Sequence, residues 1–270
     1  MNIISIHSAP RSGSTWLETI FEAHPNVITK YQPLFCYDFK NCINKNSVKE
    51  DFDNFINCIM KSNNEFMNRS GVYHTGNSNH IPKFKKDDIT TLVMKHVHSH
   101  HLIETFIKLC PNIKIIGLIR NPCATINSFV NNPREYDDTN NPDEWLNGNN
   151  KNMSEHDYFG YQKWKEVIDI FHNIQNKYPD NIYIVQYEKL VFNSKEEIPK
   201  LFAFANLIVT ESVYQFINES HNSEYINDHC TSVYKDTSVT DKWKDKLDIN
   251  IQNTIINDIK NTVYEQYFYQ

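Results

Sequence analysis

Apolar positions in this chain gather in short runs separated by longer amphipathic stretches. Ile3-Ile4-Ser5-Ile6 and Ile113-Lys114-Ile115-Ile116-Gly117-Leu118-Ile119 are near-continuously apolar, the pattern of strands buried on both faces of a parallel sheet. Beyond the second run the apolar residues take up helical spacing, at Ala124, Ile126, Phe129 and Val130. The pattern predicts strands at 2–8, 26–30, 90–97, 113–119 and 181–187. It predicts helices at 14–24, 100–110, 122–131, 156–178, 194–205, 210–220 and 248–266, with a helical insert from about 48 to 68. Strands alternating with helices mean an α/β fold, a central parallel sheet flanked by helices. In such sheets ligands sit outside the carboxyl ends of the strands, where Ser8 to Thr15, His96 to His98, Arg120 and Tyr187 all fall.

The first strand runs into Ala9-Pro10-Arg11-Ser12-Gly13-Ser14-Thr15-Trp16-Leu17. A glycine-containing turn followed by the free N–H groups and positive dipole end of a helix makes an anion cradle. Arg11 adds charge there, and Ser12, Ser14 and Thr15 add donors. The second Gly and the Gly-Lys-Ser/Thr ending of a Walker A loop are missing, which argues against a nucleotide kinase or other P-loop phosphotransferase. The strand at 113–119 ends in Arg120-Asn121-Pro122, with Asn121 suited to cap a helix and Pro122 to its first position. Ser128 follows eight residues after Arg120. The chain has only four arginines (11, 69, 120 and 134), so two of them at strand ends carry weight.

Taken in order, these two segments resemble the sulfotransferases that use 3′-phosphoadenylyl sulfate (PAPS). The first is similar to their 5′-phosphosulfate loop, and Arg120 with Ser128 to their hold on the 3′-phosphate, by a guanidinium fork and a hydroxyl. Asn181-Ile182-Tyr183-Ile184-Val185-Gln186-Tyr187-Glu188-Lys189-Leu190 resembles the family's strand ending in Tyr-Glu-Asp-Leu, with Lys189 where Asp is usual. Tyr234 to Lys244 resembles the late basic loop ending in Trp-Lys, without its Arg-Lys-Gly core, so which lysine meets phosphate stays open and Lys235 is a candidate. The resemblance implies a P-loop-like sulfotransferase fold in one domain over 1–270, with an insert at about 40–90 and a long Asn/Pro/Asp-rich loop at about 131–153. It implies PAPS as co-substrate, no metal, and a nucleotide site of Arg11, Ser12, Gly13, Ser14, Thr15, Trp16, Arg120, Ser128, Tyr187 and Lys235.

For the base, the family carries Lys-Thr-His at a strand end, and this chain has Lys95-His96-Val97-His98-Ser99-His100-His101. Aligning on Lys95 puts Val97 at the histidine's place, which leaves His96 and His98 as candidates, His98 nearer the carboxyl end. Strand alternation puts 96 and 98 on one face, opposite Lys95 and Val97. Four histidines in six residues also fit a metal set, though no carboxylate or cysteine completes one. Lys30-Tyr31-Gln32-Pro33 lies where some relatives place a basic glutamate; Gln32 cannot accept a proton but can orient an acceptor, and Asp38 is the next carboxylate along.

Composition narrows the remaining choices. A hydrophobic content of 40% over 270 residues supports a sizeable core. A net charge of −6 gives no reason to expect nucleic acid or an acidic membrane as partner. No run approaches a membrane span, nothing resembles a signal peptide, and the six cysteines form no framework, so a cytoplasmic protein is expected. The resemblance implies an acceptor that is a small molecule or glycan presenting a hydroxyl or an amine, and the residues that would choose it carry no readable code. Tyr31, Phe35, Tyr37, Phe39, Tyr136 and Trp145 would suit a planar or sugar-like one. A non-catalytic nucleotide- or sulfate-binding module is the alternative, motivated by Gln32 and the altered late loop.

Overall fold

The computed structural model describes residues 1–70, 82–133, 135–136, 143–148, 156, 158–221, 232–234 and 237–268. Five parallel strands form the sheet: β1 Asn2–Ser8, β2 Val27–Tyr31, β3 Thr91–His96, β4 Lys114–Ile119 and β5 Ile182–Gln186, in the order β2-β3-β1-β4-β5. Helices cover both faces. They are α1 Ser14–Glu22, α2 Lys49–Lys61, α3 Ile103–Leu109, α4 Pro122–Val130, α5 Glu144–Asn147, α6 Tyr161–Lys177, α7 Tyr187–Phe192, α8 Ser194–Phe204, α9 Glu211–Ser220, α10 Trp243–Lys246 and α11 Ile249–Ile259. Among the described residues no helix is long and apolar enough to cross a membrane.

The alternation of each strand feeds two apolar clusters. Ile4 and Ile6 of β1, Val93 of β3 and Ile116 and Leu118 of β4 pack with α1, α8 and α9. Leu92 and Met94, with Ile115 and Ile119, face the other way, toward α2, α3, α4 and α6. Gly117 is required by that packing, since a Cβ there would stand 2.8 Å from the Phe171 ring of α6.

Helix starts follow local chemistry. Asn121 caps α4, its side chain accepting from the Ala124 N–H at 3.2 Å, with Pro122 at the first position. The helix expected from 156 begins at Tyr161, after Gly160, whose φ of +95° no side chain takes readily. The insert helix stops at Lys61, where Ser62-Asn63-Asn64 offer competing side-chain bonds to the backbone; the Ser62 hydroxyl and the Asn64 carbonyl both accept N–H groups beyond it. Tyr187, expected to close a strand, is the first residue of α7.

Register sets the site. Lys95 of β3 lies beside Ile6 and Tyr31, Ser8 beside Leu118, and Ile119 beside Gln186, so all five strands end at one level. The residues just past those ends are Arg11, Gln32, His98, Arg120 and Tyr187.

Candidate active site

The strand ends open into a cavity of about 430 Å³. On the β1 side it is bounded by the turn into α1. Arg11 and Gly13 both have positive φ, +69° and +87°, which folds the chain tightly enough for the helix to start at Ser14. The Gly13 carbonyl accepts from the N–H groups of Trp16 and Leu17. Among the described residues no acceptor stands on the N–H groups of Gly13, Ser14 and Thr15, which are left to the first turn of α1. Gly13 is further required by the Tyr187 ring, whose Cε2 would stand 2.4 Å from an added Cβ.

Arg120 ties this turn to the rest of the site. One terminal nitrogen donates to the Arg11 carbonyl at 3.1 Å, the other to the Val239 carbonyl at 2.7 Å, and its Nε, also buried, has no partner among the described residues. Its guanidinium lies 5.0 Å over the Tyr187 ring, and its own carbonyl accepts from the Trp164 indole at 2.8 Å. Glu188 accepts the Asn121 N–H at 3.0 Å; burial pushes its carboxyl up, opposed by the Arg120 charge. Burial likewise raises the Tyr187 phenol. Trp16 packs edge-on against Tyr187, centroids 5.7 Å apart, and donates its indole N–H to Ser220 at 3.0 Å. Arg11 donates from Nε to Ser128 at 3.2 Å and pairs with Glu135 at 3.7 Å.

Of the expected nucleotide set, Arg11, Gly13, Ser14, Thr15, Trp16, Arg120, Ser128 and Tyr187 line the cavity together. Ser12 does not; it is buried, its hydroxyl without a partner among the described residues. Lys235 lies outside the described residues. In the same late segment Trp243 packs into the core against Phe268, and Lys244 pairs with Asp241 at 2.9 Å, so neither reaches the cavity.

The histidine run separates into different surroundings. Lys95 and His98 line the cavity, with the Lys95 ammonium 4.1 Å over the Tyr31 ring and His98 stacked on Phe35 at 4.7 Å. His96 does not share that face. It stacks on His7 at 4.9 Å and packs against Phe106 below the sheet, where burial and the Lys95 charge bring its pKa down to about 3. His7 and His100 meet Nδ1 to Nδ1 at 3.2 Å and are held well below the ordinary imidazole value, first by burial. The expected common face fails because β3 ends at His96 and Ser99 turns into the left-handed region, φ +60°, so strand alternation no longer governs 98. Among the described residues no His, Cys, Asp and Glu group gathers that could hold a metal ion.

Asp38 accepts from Asn64 at 2.6 Å at an exposed site and lies away from the cavity. Of the aromatic candidates, Tyr31 and Phe35 line it, whereas Tyr37 is 93% exposed, Phe39 packs on Phe55, Tyr136 on Phe129 and Trp145 on Tyr161. Phe66, Phe159, Glu135 and His221 also line the cavity without belonging to any motif. Glu135 is the single carboxylate among the described lining residues.

A model of the sulfotransferase family matches residues 4–211, and the chain belongs to that family. No curated protein matches the chain in sequence. Among solved structures it is similar to the mouse sulfotransferase SULT7A1 complexed with PAP, at 15% identity and TM-score 0.59, covering 99% of this chain and 88% of that one. It is similar to the sulfotransferase domain of the Synechococcus PCC 7002 olefin synthase, at 17% identity and TM-score 0.57, covering 99% and 94%. A retinol dehydratase in complex with androsterone and inactive cofactor PAP has 13% identity and TM-score 0.52 over 97% and 81%. At these identities the likeness is one of fold: the central parallel sheet flanked by helices is the P-loop-like fold of sulfotransferases.

Proposed function

We propose that this member of the sulfotransferase family moves the sulfuryl group of PAPS to a hydroxyl or amine of a small molecule or glycan, releasing 3′,5′-ADP. The observation that carries the assignment is the pairing of the Gly13–Thr15 cradle with the Arg120 clamp in one cavity. Helix-start N–H groups and a buried Arg120 Nε without partners among the described residues, together with the Arg11 charge, all fit an anionic ligand. That PAP is held in two of the similar structures supports the same nucleotide here.

The co-substrate, when bound, supplies a sulfuryl group already joined to a good leaving group, the 5′-phosphate. The chain's part is electrostatic and positional. The cradle with Ser14 and Thr15 would hold the 5′ side; Arg120 and Ser128 would take the 3′-phosphate, with Lys235 as a further candidate. Trp16 and Tyr187 offer apolar surface for the purine. A guanidinium cannot act as an acid at neutral pH, so Arg11 opposes negative charge on the departing oxygen. Lys95 adds a second positive charge, and His98 takes the proton of the attacking group.

Titration calorimetry with 3′,5′-ADP tests the assignment. Binding is expected, in preference to ATP and GTP. Binding of ATP or GTP with none of 3′,5′-ADP would overturn it.

A further inference from the structure

On the β2–β3 side the cavity is walled by a continuous belt of rings. Tyr31 meets Phe66 edge-on at 5.3 Å, Phe66 meets Phe35 at 5.9 Å, Phe35 stacks on His98 at 4.7 Å, and His98 meets Phe159 edge-on at 5.9 Å. The five come from four segments of the chain, Tyr31 and Phe35 sharing the one that leaves β2. A sugar ring can lay its C–H face on such a wall, but its several hydroxyls need partners. Each hydroxyl that loses water and finds no partner weakens binding about 5- to 150-fold. The polar side chains lining this side are few: the Tyr31 hydroxyl, Gln32, Lys95 and His98. A planar ring, by contrast, meets aromatic edges and faces in favourable geometry.

Chemistry agrees with shape. A phenolic hydroxyl, near pKa 10, yields its proton to an imidazole far more readily than an aliphatic one, whose pKa lies several units higher. Lys95, beside the wall, would favour the phenolate charge as it develops.

Gln32 adds a second requirement. Its φ is +43°, and its backbone is pinned at both ends: the N–H donates to Lys95 at 2.7 Å and the carbonyl accepts from Phe35 and Cys36 at 3.0 and 3.1 Å. The side chain lines the cavity, is 7% exposed, and its Oε1 has no partner among the described residues. A buried carbonyl oxygen without a donor is a standing cost that a ligand N–H or O–H removes.

We propose that the acceptor is a planar aromatic hydroxyl compound bearing a second hydrogen-bond donor, and that Gln32 reads that donor. The proposal rests on the sulfotransferase assignment and narrows its acceptor. In the transfer, the phenolic oxygen forms a bond to sulfur while the bond from sulfur to the 5′-phosphate oxygen breaks. That oxygen keeps the electron pair, and the phenolic proton passes to His98.

The test compares 2-naphthol, 2,3-dihydroxynaphthalene and methyl glucoside, each titrated by calorimetry into the 3′,5′-ADP complex and each assayed for turnover with PAPS. The diol is expected to bind tighter than the mono-ol by about 5- to 150-fold. Gln32→Leu should erase that preference, and Gln32→Glu, which keeps an acceptor oxygen, should retain it; thermal melting of both variants shows that they fold. Equal affinity for the two naphthols, an unchanged preference in Gln32→Leu, or better binding and turnover of methyl glucoside would overturn the proposal. If 3′,5′-ADP binds and neither naphthol binds or reacts, the acceptor class fails and the donor assignment stands. If 3′,5′-ADP itself does not bind, both fail.

Discussion

Replacing Gly13 by alanine tests the core of the site in a single methyl group. Two independent penalties meet there. Alanine at a φ of +87° costs about 1–2 kcal/mol in the left-handed region. The new Cβ would also stand 2.4 and 2.6 Å from Cε2 and Cδ2 of Tyr187, so the ring must move. Tyr187 is buried and has little room, because Trp16 packs against its ring and the Arg120 guanidinium lies over it. Overpacking of that kind costs about 1–3 kcal/mol. The sum is roughly 2–5 kcal/mol, which for a chain of this length lowers the melting temperature by about 4–10 °C. Displacement of Tyr187 also disturbs the clamp from Arg120 to the Arg11 carbonyl, so 3′,5′-ADP affinity should fall with stability. Trimming Tyr187 to leucine in the Gly13→Ala background should recover part of the loss, since it removes the clash and leaves the backbone strain. Calorimetric melting and 3′,5′-ADP titration of the parent and the two variants measure each part. A Gly13→Ala protein that melts within a degree of the parent and binds 3′,5′-ADP equally well would refute the reasoning.

Three further outcomes follow from the same geometry. Arg120→Met removes a cation and two carbonyl contacts, and should weaken 3′,5′-ADP binding by about 2–5 kcal/mol, roughly 30- to 5000-fold, with a lower melting temperature; an affinity loss under threefold by calorimetry would contradict the clamp. His98→Ala should lower turnover about 10²–10⁴-fold and leave 3′,5′-ADP affinity nearly intact, whereas His96→Ala, in the core, should lower the melting temperature and change turnover less than about tenfold; the reverse pattern would move the base to 96. Acid should destabilise the fold through His7, His96 and His100, whose folded pKa values lie below the ordinary one. The unfolded chain takes up their protons near pH 6.5 and the folded chain only much lower, near pH 3 for His96. Stability is therefore full above about pH 6.5 and falls below it by up to about 1.4 kcal/mol per pH unit per histidine. Urea midpoints at pH 7.5, 6 and 5 should show the slope, and His96→Asn should flatten it; no change between pH 7.5 and 5, or none with the variant, counts against it.

Much of the frame was legible because parallel strands buried on both faces have no polar alternation to disguise them. All five strands and the starts of α1 and α4 lie within a residue or two of where apolar runs and cap residues put them. The Arg11 turn, Arg120 and Tyr187 were legible as motifs, and strand register brings them together. Glu135, Phe66 and Phe159 were not, because each reaches the cavity from a loop whose path no periodicity encodes. The four clustered histidines mislead for a related reason. Alternation holds only while the strand lasts, and β3 ends at the residue where the rule was being applied. Helix α7 escaped notice because its six residues begin directly on the end of β5, with no turn signal between. The burial of His7 beside His96 and His100 is a long-range contact, invisible to any window along the chain.

The electrostatics of the site run against the chain as a whole. The net charge is −6, yet Arg11, Lys95 and Arg120 share one cavity with one described carboxylate, Glu135. The contrast is produced by where the charges are spent. Glu18 is fully buried on α1, one turn below Ser14, and faces Arg69 at 3.6 Å; Arg69 also bonds Glu22 and donates to Thr19 at 3.2 Å. Two acidic side chains nearest the cradle on its own helix thus pair with Arg69 and are not among the described lining residues, and Glu18 is further held toward its neutral form by burial, opposed by the Arg69 and Lys95 charges. The remaining carboxylate stands against Arg11, which Ser128 also engages at Nε. An anion entering the cradle must therefore compete with Glu135 for Arg11 alone, while Lys95, over the Tyr31 ring, and the Nε of Arg120 meet it without an opposing carboxylate among the described lining residues.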